Sequence, residues 1–215
     1  MPNSLSHVFN IGPSIVGSIL GDAYMQYRPT SANNPTSDAN VLSQLPAWIT
    51  GDASGKGRKA PDFGKNIWYG MFDPTITQVG DYLIGTLGTF FIASQDVPQP
   101  IIVVRCNHTV DITIPAPMNT GGKQSAYGGD LRGTEVDVAA AWPCSIVQGT
   151  KGEVGSTKLP GDVKMPWTTV LLPAIPGVTL RNNIILTTED QTRYIASSCE
   201  LTALGWRISA ALATT

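Results

Sequence analysis

The chain is poor in charge. Asp, Glu, Lys and Arg make up 14% of its 215 residues, against about 25% in a typical soluble domain. The 14 basic and 16 acidic residues nearly cancel, for a net charge of −2. No broad positive field is present to draw in nucleic acid. Cysteine is also scarce, with only Cys106, Cys144 and Cys199. An odd, widely spaced set gives no disulfide framework and reads as reduced thiols in a cytoplasmic product. No apolar run approaches the roughly 18 residues of a membrane-crossing helix. The opening MPNSLSHVFN has neither the basic region nor the apolar run of a signal peptide.

Turn-formers and apolar residues are plentiful. Hydrophobic residues reach 42%, with 22 Gly and 16 Pro. Such a chain buries a core and turns often, which fits a β protein rather than a disordered one. The length suits one large domain or two small ones.

The clearest helical pattern lies within Pro13–Tyr27. Ile15, Val16, Ile19, Leu20, Ala23, Tyr24 and Tyr27 form one apolar stripe. Pro13 suits a first helical turn, and Arg28-Pro29 ends the pattern. Gly17 and Gly21 weaken this helix but permit close packing. His7 is expected to precede it. The polar segment 30–39 then reads as a loop.

From Trp68 onward the pattern is that of strands: Tyr82–Ile84, Phe90–Ala93, Ile101–Val104, and Thr109–Ile114 with its strict alternation. It resumes at Thr168–Leu172, Ile184–Leu186, Tyr194–Ala196 and Trp206–Ile208. The hairpin in Gly80–Gln95 resembles that in Asn182–Ser198. Phe91-Ile92-Ala93-Ser94 matches Tyr194-Ile195-Ala196-Ser197. Two copies of one β unit would explain this, and so would the limited chemistry of hairpins. The expected fold is mainly β, a short-stranded barrel or sandwich, with one N-terminal helix and long loops at 117–133 and 149–162. The expected division is 1–50 for the helix and connecting segment, 51–138 for a first β unit and 139–215 for a second.

Nothing in the sequence assembles an active site. Gly51–Lys56 imitates a phosphate loop, but it is one residue short and no Ser or Thr follows the Lys. Lys56, Arg58 and Lys59 give that loop a small basic cluster. No Gly-x-Ser-x-Gly elbow occurs. Cys106 and His108 would share a strand face, yet two ligands do not make a zinc site. The carboxylates are scattered, and no pair stands out as acid and base. Asn107-His108-Thr109 matches a glycosylation triplet without a secretory signal beside it. Trp142-Pro143 and Pro166-Trp167 suggest rings anchored beside rigid turns. The expectation is therefore a non-enzymatic protein with no catalytic residue, cofactor or metal.

The segment KLPGDVKMPWTTVLLPAIPGVTLRNNIILTTEDQTRYIASSCELTALGWRISAAL (Lys158–Leu212) resembles the end of an uncharacterised structural protein of tailed bacteriophages and prophages. Gly21–Pro29, Gly80–Ser94 and Ala141–Gly152 fit the same group. The hairpin style is similar to small β-barrel connector proteins of phage necks. Asn182-Asn183 stands where the first hairpin has Gly80-Asp81. The resemblance implies a virion protein, made in the bacterial host cytoplasm. It further implies a homo-oligomeric ring between portal and tail, with non-specific contact with packaged DNA and no membrane. An adaptor, stopper or tail-completion ring is the leading expectation. The alternatives are a capsid decoration, tail-tube or fibre-attachment protein, or a tail-associated protein that binds or degrades polysaccharide.

Overall fold

The computed structural model describes residues 4–51, 66–96, 99–115, 135–148 and 167–213. Among the described residues an N-terminal helix, α1 (Ser4–Leu20), is followed by twelve strands. The first six are β1 (Asp22–Tyr27), β2 (Val41–Thr50), β3 (Ile67–Met71), β4 (Tyr82–Gly85), β5 (Gly88–Ser94) and β6 (Ile101–Arg105). The second six are β7 (His108–Pro115), β8 (Glu135–Gln148), β9 (Trp167–Leu172), β10 (Ile185–Thr188), β11 (Arg193–Thr202) and β12 (Gly205–Leu212). The mainly β fold with one helix, expected from the turn-rich composition, is what forms.

The strands close into two antiparallel barrels, ordered β1-β2-β3-β6-β5-β4 and β7-β8-β9-β12-β11-β10. These are one topology written twice. Closure leaves neither set of short strands with an open edge, which would otherwise invite pairing with other chains.

The register is repeated along with the order. Met25 pairs with Ile84 as Asp111 pairs with Thr187. Leu45 faces Tyr24 as Trp142 faces Val110, and Ile49 faces Gly70 as Ile146 faces Val170. Both β5–β6 and β11–β12 carry a bulge one residue after a buried position, between Ile92 and Ser94 and between Ala196 and Ser198. The bulge fixes the alignment of the two copies, because an extra residue flips every side chain beyond it. Phe90 therefore corresponds to Tyr194, Phe91 to Ile195 and Ile92 to Ala196. The tetrapeptide likeness placed these one residue out, since it aligned letters and not hydrogen bonds.

The barrels divide between Arg105 and His108. The boundary expected at 138/139 falls inside β8, and the first barrel draws β1 and β2 from the segment 1–50. The long loops expected at 117–133 and 149–162 lie outside the described residues.

The helix also differs from expectation. It begins at Ser4, includes His7, and ends before Gly21. Residues 22–27 continue as a strand whose Tyr24 and Gln26 turn inward. Tyr24 and Tyr27 fit a helical spacing, but period two places Tyr24 and Gln26 in the barrel. Gly17 and Gly21 allow the helix end to lie directly on backbone. A Cβ on Gly17 would stand 2.6 Å from the Met71 carbonyl and 3.1 Å from that of Pro46.

Two cores result. Inside the first barrel lie Tyr24, Leu45, Phe72, Leu83, Phe90, Ile92 and Val103. The second core, with Val110, Ile112, Trp142, Val170, Leu186 and Ile208, continues out to Tyr82, Phe91, Ala93 and Val104 on the outer wall of the first barrel. The contact between the barrels is thus an extension of a core.

Candidate functional site

Most carboxylates are engaged in local structure. Asp81 is buried at the mouth of the first barrel. It accepts from Gln26 Nε2 at 2.7 Å, from Arg28 Nε and Nη2 at 2.8 Å each, and from the Gln78 amide at 2.9 Å. The guanidinium of Arg28 is raised above its ordinary pKa by that carboxylate. In the second barrel Ile112 and Ile184 occupy the positions of Gln26 and Asp81, and Ile114 follows Ile112 as Arg28 follows Gln26. One copy closes this end with a bonded polar cluster, the other with isoleucine, as expected of a structural plug.

The other acids behave alike. Asp111 accepts from the Ala141 amide at 2.8 Å, where β8 bends with φ +56° at Ala141. Asp73 accepts from the Thr75 amide and hydroxyl, Glu135 from Arg193, and Glu200 from Arg207. Glu189 accepts from the Thr109 amide at 2.7 Å and lies 3.1 Å from His108 Nδ1. Burial raises the Glu189 pKa, but the Thr109 amide and His108 outweigh it and bring it below the usual value. Asp130, Glu153 and Asp162 lie outside the described residues, as do Lys56, Arg58, Lys59 and most of the phosphate-loop imitation.

Cys106 and His108 border one groove but engage different partners. Cys106 packs against the second core, while His108 turns to Glu189. Among the described residues no group of three or more metal-binding side chains occurs. All three cysteines are unpaired. Burial pushes the thiols of Cys106 and Cys144 far up and that of Cys199 to about 11. None has the lowered pKa of a nucleophile.

The most specific construction in the molecule is the seam between the barrels. Only Cys106 and Asn107 separate β6 from β7, and both are pegged. The Cys106 amide donates to the Thr89 carbonyl at 2.8 Å and the Asn107 amide to that of Cys144 at 3.0 Å. The Asn107 side chain donates to the Ile146 carbonyl and accepts from the Ile146 amide, at 2.9 and 2.8 Å. It serves β8 as a neighbouring strand would. Tyr82, fully buried, donates from its hydroxyl to the Pro143 carbonyl at 2.8 Å and sets its ring edge-on to Trp142, with centroids 6.1 Å apart. Burial, then the two nearby thiols, push the Tyr82 phenol well up. Trp142 Nε1 donates to the Ala32 carbonyl, the Asn34 amide donates to the Ala140 carbonyl at 2.8 Å, and the Ala140 amide donates to that of Ala32 at 3.3 Å. The 30–39 loop of the first barrel is thereby a wall of the seam. Shallow grooves of about 420 and 270 Å³ flank the linker, both lined in part by Cys106 and Asn107.

The remaining feature is unpartnered apolar surface. Along α1, Ile11, Ile15 and Ile19 fall four residues apart, and Ile19 is 72% exposed. On the second barrel Ile195 is 44% exposed. Trp142 and Trp206 are buried, and Trp48, Trp68 and Trp167 are half-buried. The sequence pointed to the helix stripe and to Trp142. It missed Tyr82 and Asn107, whose roles depend on a neighbour 61 and 39 residues away. Comparisons with protein-family models, curated proteins and solved structures find no match to this chain.

Proposed function

We propose that the chain is a structural subunit of the head-to-tail region of a tailed-phage virion, an adaptor, stopper or tail-completion ring. It acts by assembly and not by catalysis. The observation that carries the reading is the combination of a body of two closed barrels with a helix whose apolar face is turned outward. Contiguous exposed apolar surface on a soluble protein commonly marks a contact with another protein. The phage setting comes from the resemblance carried by Lys158–Leu212, Gly21–Pro29, Gly80–Ser94 and Ala141–Gly152. The partners implied are further copies of the chain and portal or tail proteins, with packaged DNA touched without sequence preference. The buried and half-buried tryptophans favour this reading over a sugar-binding one.

The test is the protein composition of gradient-purified particles from the phage or induced prophage that encodes the chain, followed by its localisation by electron cryomicroscopy. The expected result is a fixed copy number at the junction of head and tail. A chain absent from purified particles overturns the proposal.

A further inference from the structure

We propose that copies of this chain join head to tail, the outer wall of the second barrel in one copy packing on the N-terminal helix of the next. The inference rests on the assembly reading above and names its interface.

The internal repeat supplies the argument. In the first barrel a transverse row on the outer wall runs through Tyr27, Tyr82, Phe91, Val104 and Ile67. Its middle members, Tyr82, Phe91 and Val104, are 0%, 1% and 4% exposed, because the second barrel covers them. The corresponding row of the second barrel is Thr113, Ile185, Ile195, Ala211 and Trp167. It is apolar in the same middle places and more open, with Ile195 44% exposed and Ile185 and Ala211 half-buried. The same wall in the same fold is an interface in one copy and partly exposed in the other.

The structure also shows what such a wall packs against. Tyr82 reaches the carbonyl of Pro143 on the second barrel. Pro143 corresponds to Pro46, since the two pair with Thr109 and Ala23 at equivalent positions. At Pro46 the place taken by the neighbouring barrel is taken instead by α1, seated through Gly17. A next copy continuing the series from Ile195 therefore meets the outer side of α1. That side presents Ile11, Ile15 and Ile19, stacked by helical spacing. Helix α1 holds no Asp, Glu, Lys or Arg, whereas a solvent-facing helix normally carries a charged face. The row through Ile195 holds none either, and the nearest charges, Arg193 and Glu135, neutralise each other at its edge. Depletion of charge is the mark of an interface centre.

The two surfaces differ, so the contact is heterologous and propagates, as a ring if the rotation closes and as a filament if it does not. Each copy offers one wall and one helix. That makes the arrangement separable by mixing.

The experiment uses the full chain and its variants Ile15→Arg and Ile195→Arg, sized by sedimentation velocity and mass photometry. Both positions are exposed, so each variant should keep the thermal midpoint of the parent. The parent should assemble, and each variant alone should be monomeric. An equimolar mixture should form dimers and stop there, because the helix of the Ile195→Arg chain meets the wall of the Ile15→Arg chain only once. A parent-sized assembly of Ile195→Arg overturns the proposal. So does dimerisation of Ile15→Arg alone, which would mean wall on wall, and so does a mixture that stays monomeric. An oligomeric parent indifferent to both substitutions refutes this interface and leaves the assembly reading intact. A parent that stays monomeric at all concentrations overturns both.

Discussion

The hydroxyl of Tyr82 donates a 2.8 Å hydrogen bond to the carbonyl of Pro143, joining the outer wall of one barrel to the body of the other. Pro143 is the counterpart of Pro46, and Tyr82 of Ile185. A contact made inside the molecule thus has half-made equivalents at both of its ends.

Tyr82 should be the costliest single side chain at the seam. Tyr82→Phe leaves the ring but strands a buried acceptor, for an expected loss of about 1–3 kcal/mol. Tyr82→Ala opens a cavity against Trp142 and Phe91, with a loss of about 3–5 kcal/mol, as for other large aromatic truncations. Urea unfolding should show lower midpoints with little change in slope. A loss within the ~0.5 kcal/mol of ordinary surface changes would mean the seam is not a core.

The cluster at the barrel mouth should be replaceable as a set but not singly. Asp81→Leu removes the shared acceptor of Gln26 and Arg28, which keep only the Ile76 carbonyl. Breaking a buried pair costs about 3–5 kcal/mol, and the cost falls toward the low end here because Arg28 is 30% exposed. The triple change Gln26→Ile, Arg28→Ile, Asp81→Ile copies Ile112, Ile114 and Ile184 of the second barrel. It should recover most of that loss, since apolar replacement of a buried ion pair is often neutral or better. The Gln78 amide, left without its acceptor, sets the limit of recovery. Chemical denaturation of the single and triple variants decides this. Strict additivity of the losses would contradict it.

The thiols should separate by reactivity. Cys199, half-buried and titrating at about 11, should react with an aromatic disulfide reagent in the native protein. Its rate should climb about tenfold per pH unit between 7 and 10, because the thiolate is the nucleophile. A raised pKa means the thiol form persists through that window, so reactivity increases with pH and does not plateau within it. Cys144, fully buried, should react only on unfolding, when three thiols titrate; Cys106, half-buried but raised further than Cys199 by burial, should react more slowly than Cys199. A single titratable thiol in denaturant would indicate a disulfide.

The strands were legible where their own residues sufficed. Thr109–Ile114 alternates as a half-buried strand must, and Phe90–Ala93 has the β-branched and aromatic content of a buried one. The repeat showed itself in its hairpins, because two turns and two apolar runs are local. Its register did not, since the bulges at Ala93 and Ser197 are set by pairing with β6 and β12. Residues 22–27 misled because Ala23, Tyr24 and Tyr27 satisfy a helical spacing, while the strand's true inward pair, Tyr24 and Gln26, includes a polar residue. Gln26 is tolerated inside because Asp81 and the Ile76 carbonyl meet it, 55 and 50 residues away. The seam was illegible for the same reason. Asn107 acts as a strand partner for Ile146, and no local pattern encodes that.

The central claim, that this chain works by joining a virion through its outward apolar helix, is tested most directly by Ile19→Asp. Ile19 is 72% exposed, so the isolated mutant should unfold with the same midpoint as the parent. Produced in cells in place of the parent, it should remain soluble and be missing from purified particles, because an unpaired charge buried at a contact costs several kcal/mol. The measurement is the amount of mutant chain per purified particle, by quantitative mass spectrometry. The account predicts loss of incorporation and of infectivity together; a mutant chain incorporated at the parent's level in infectious particles would contradict it.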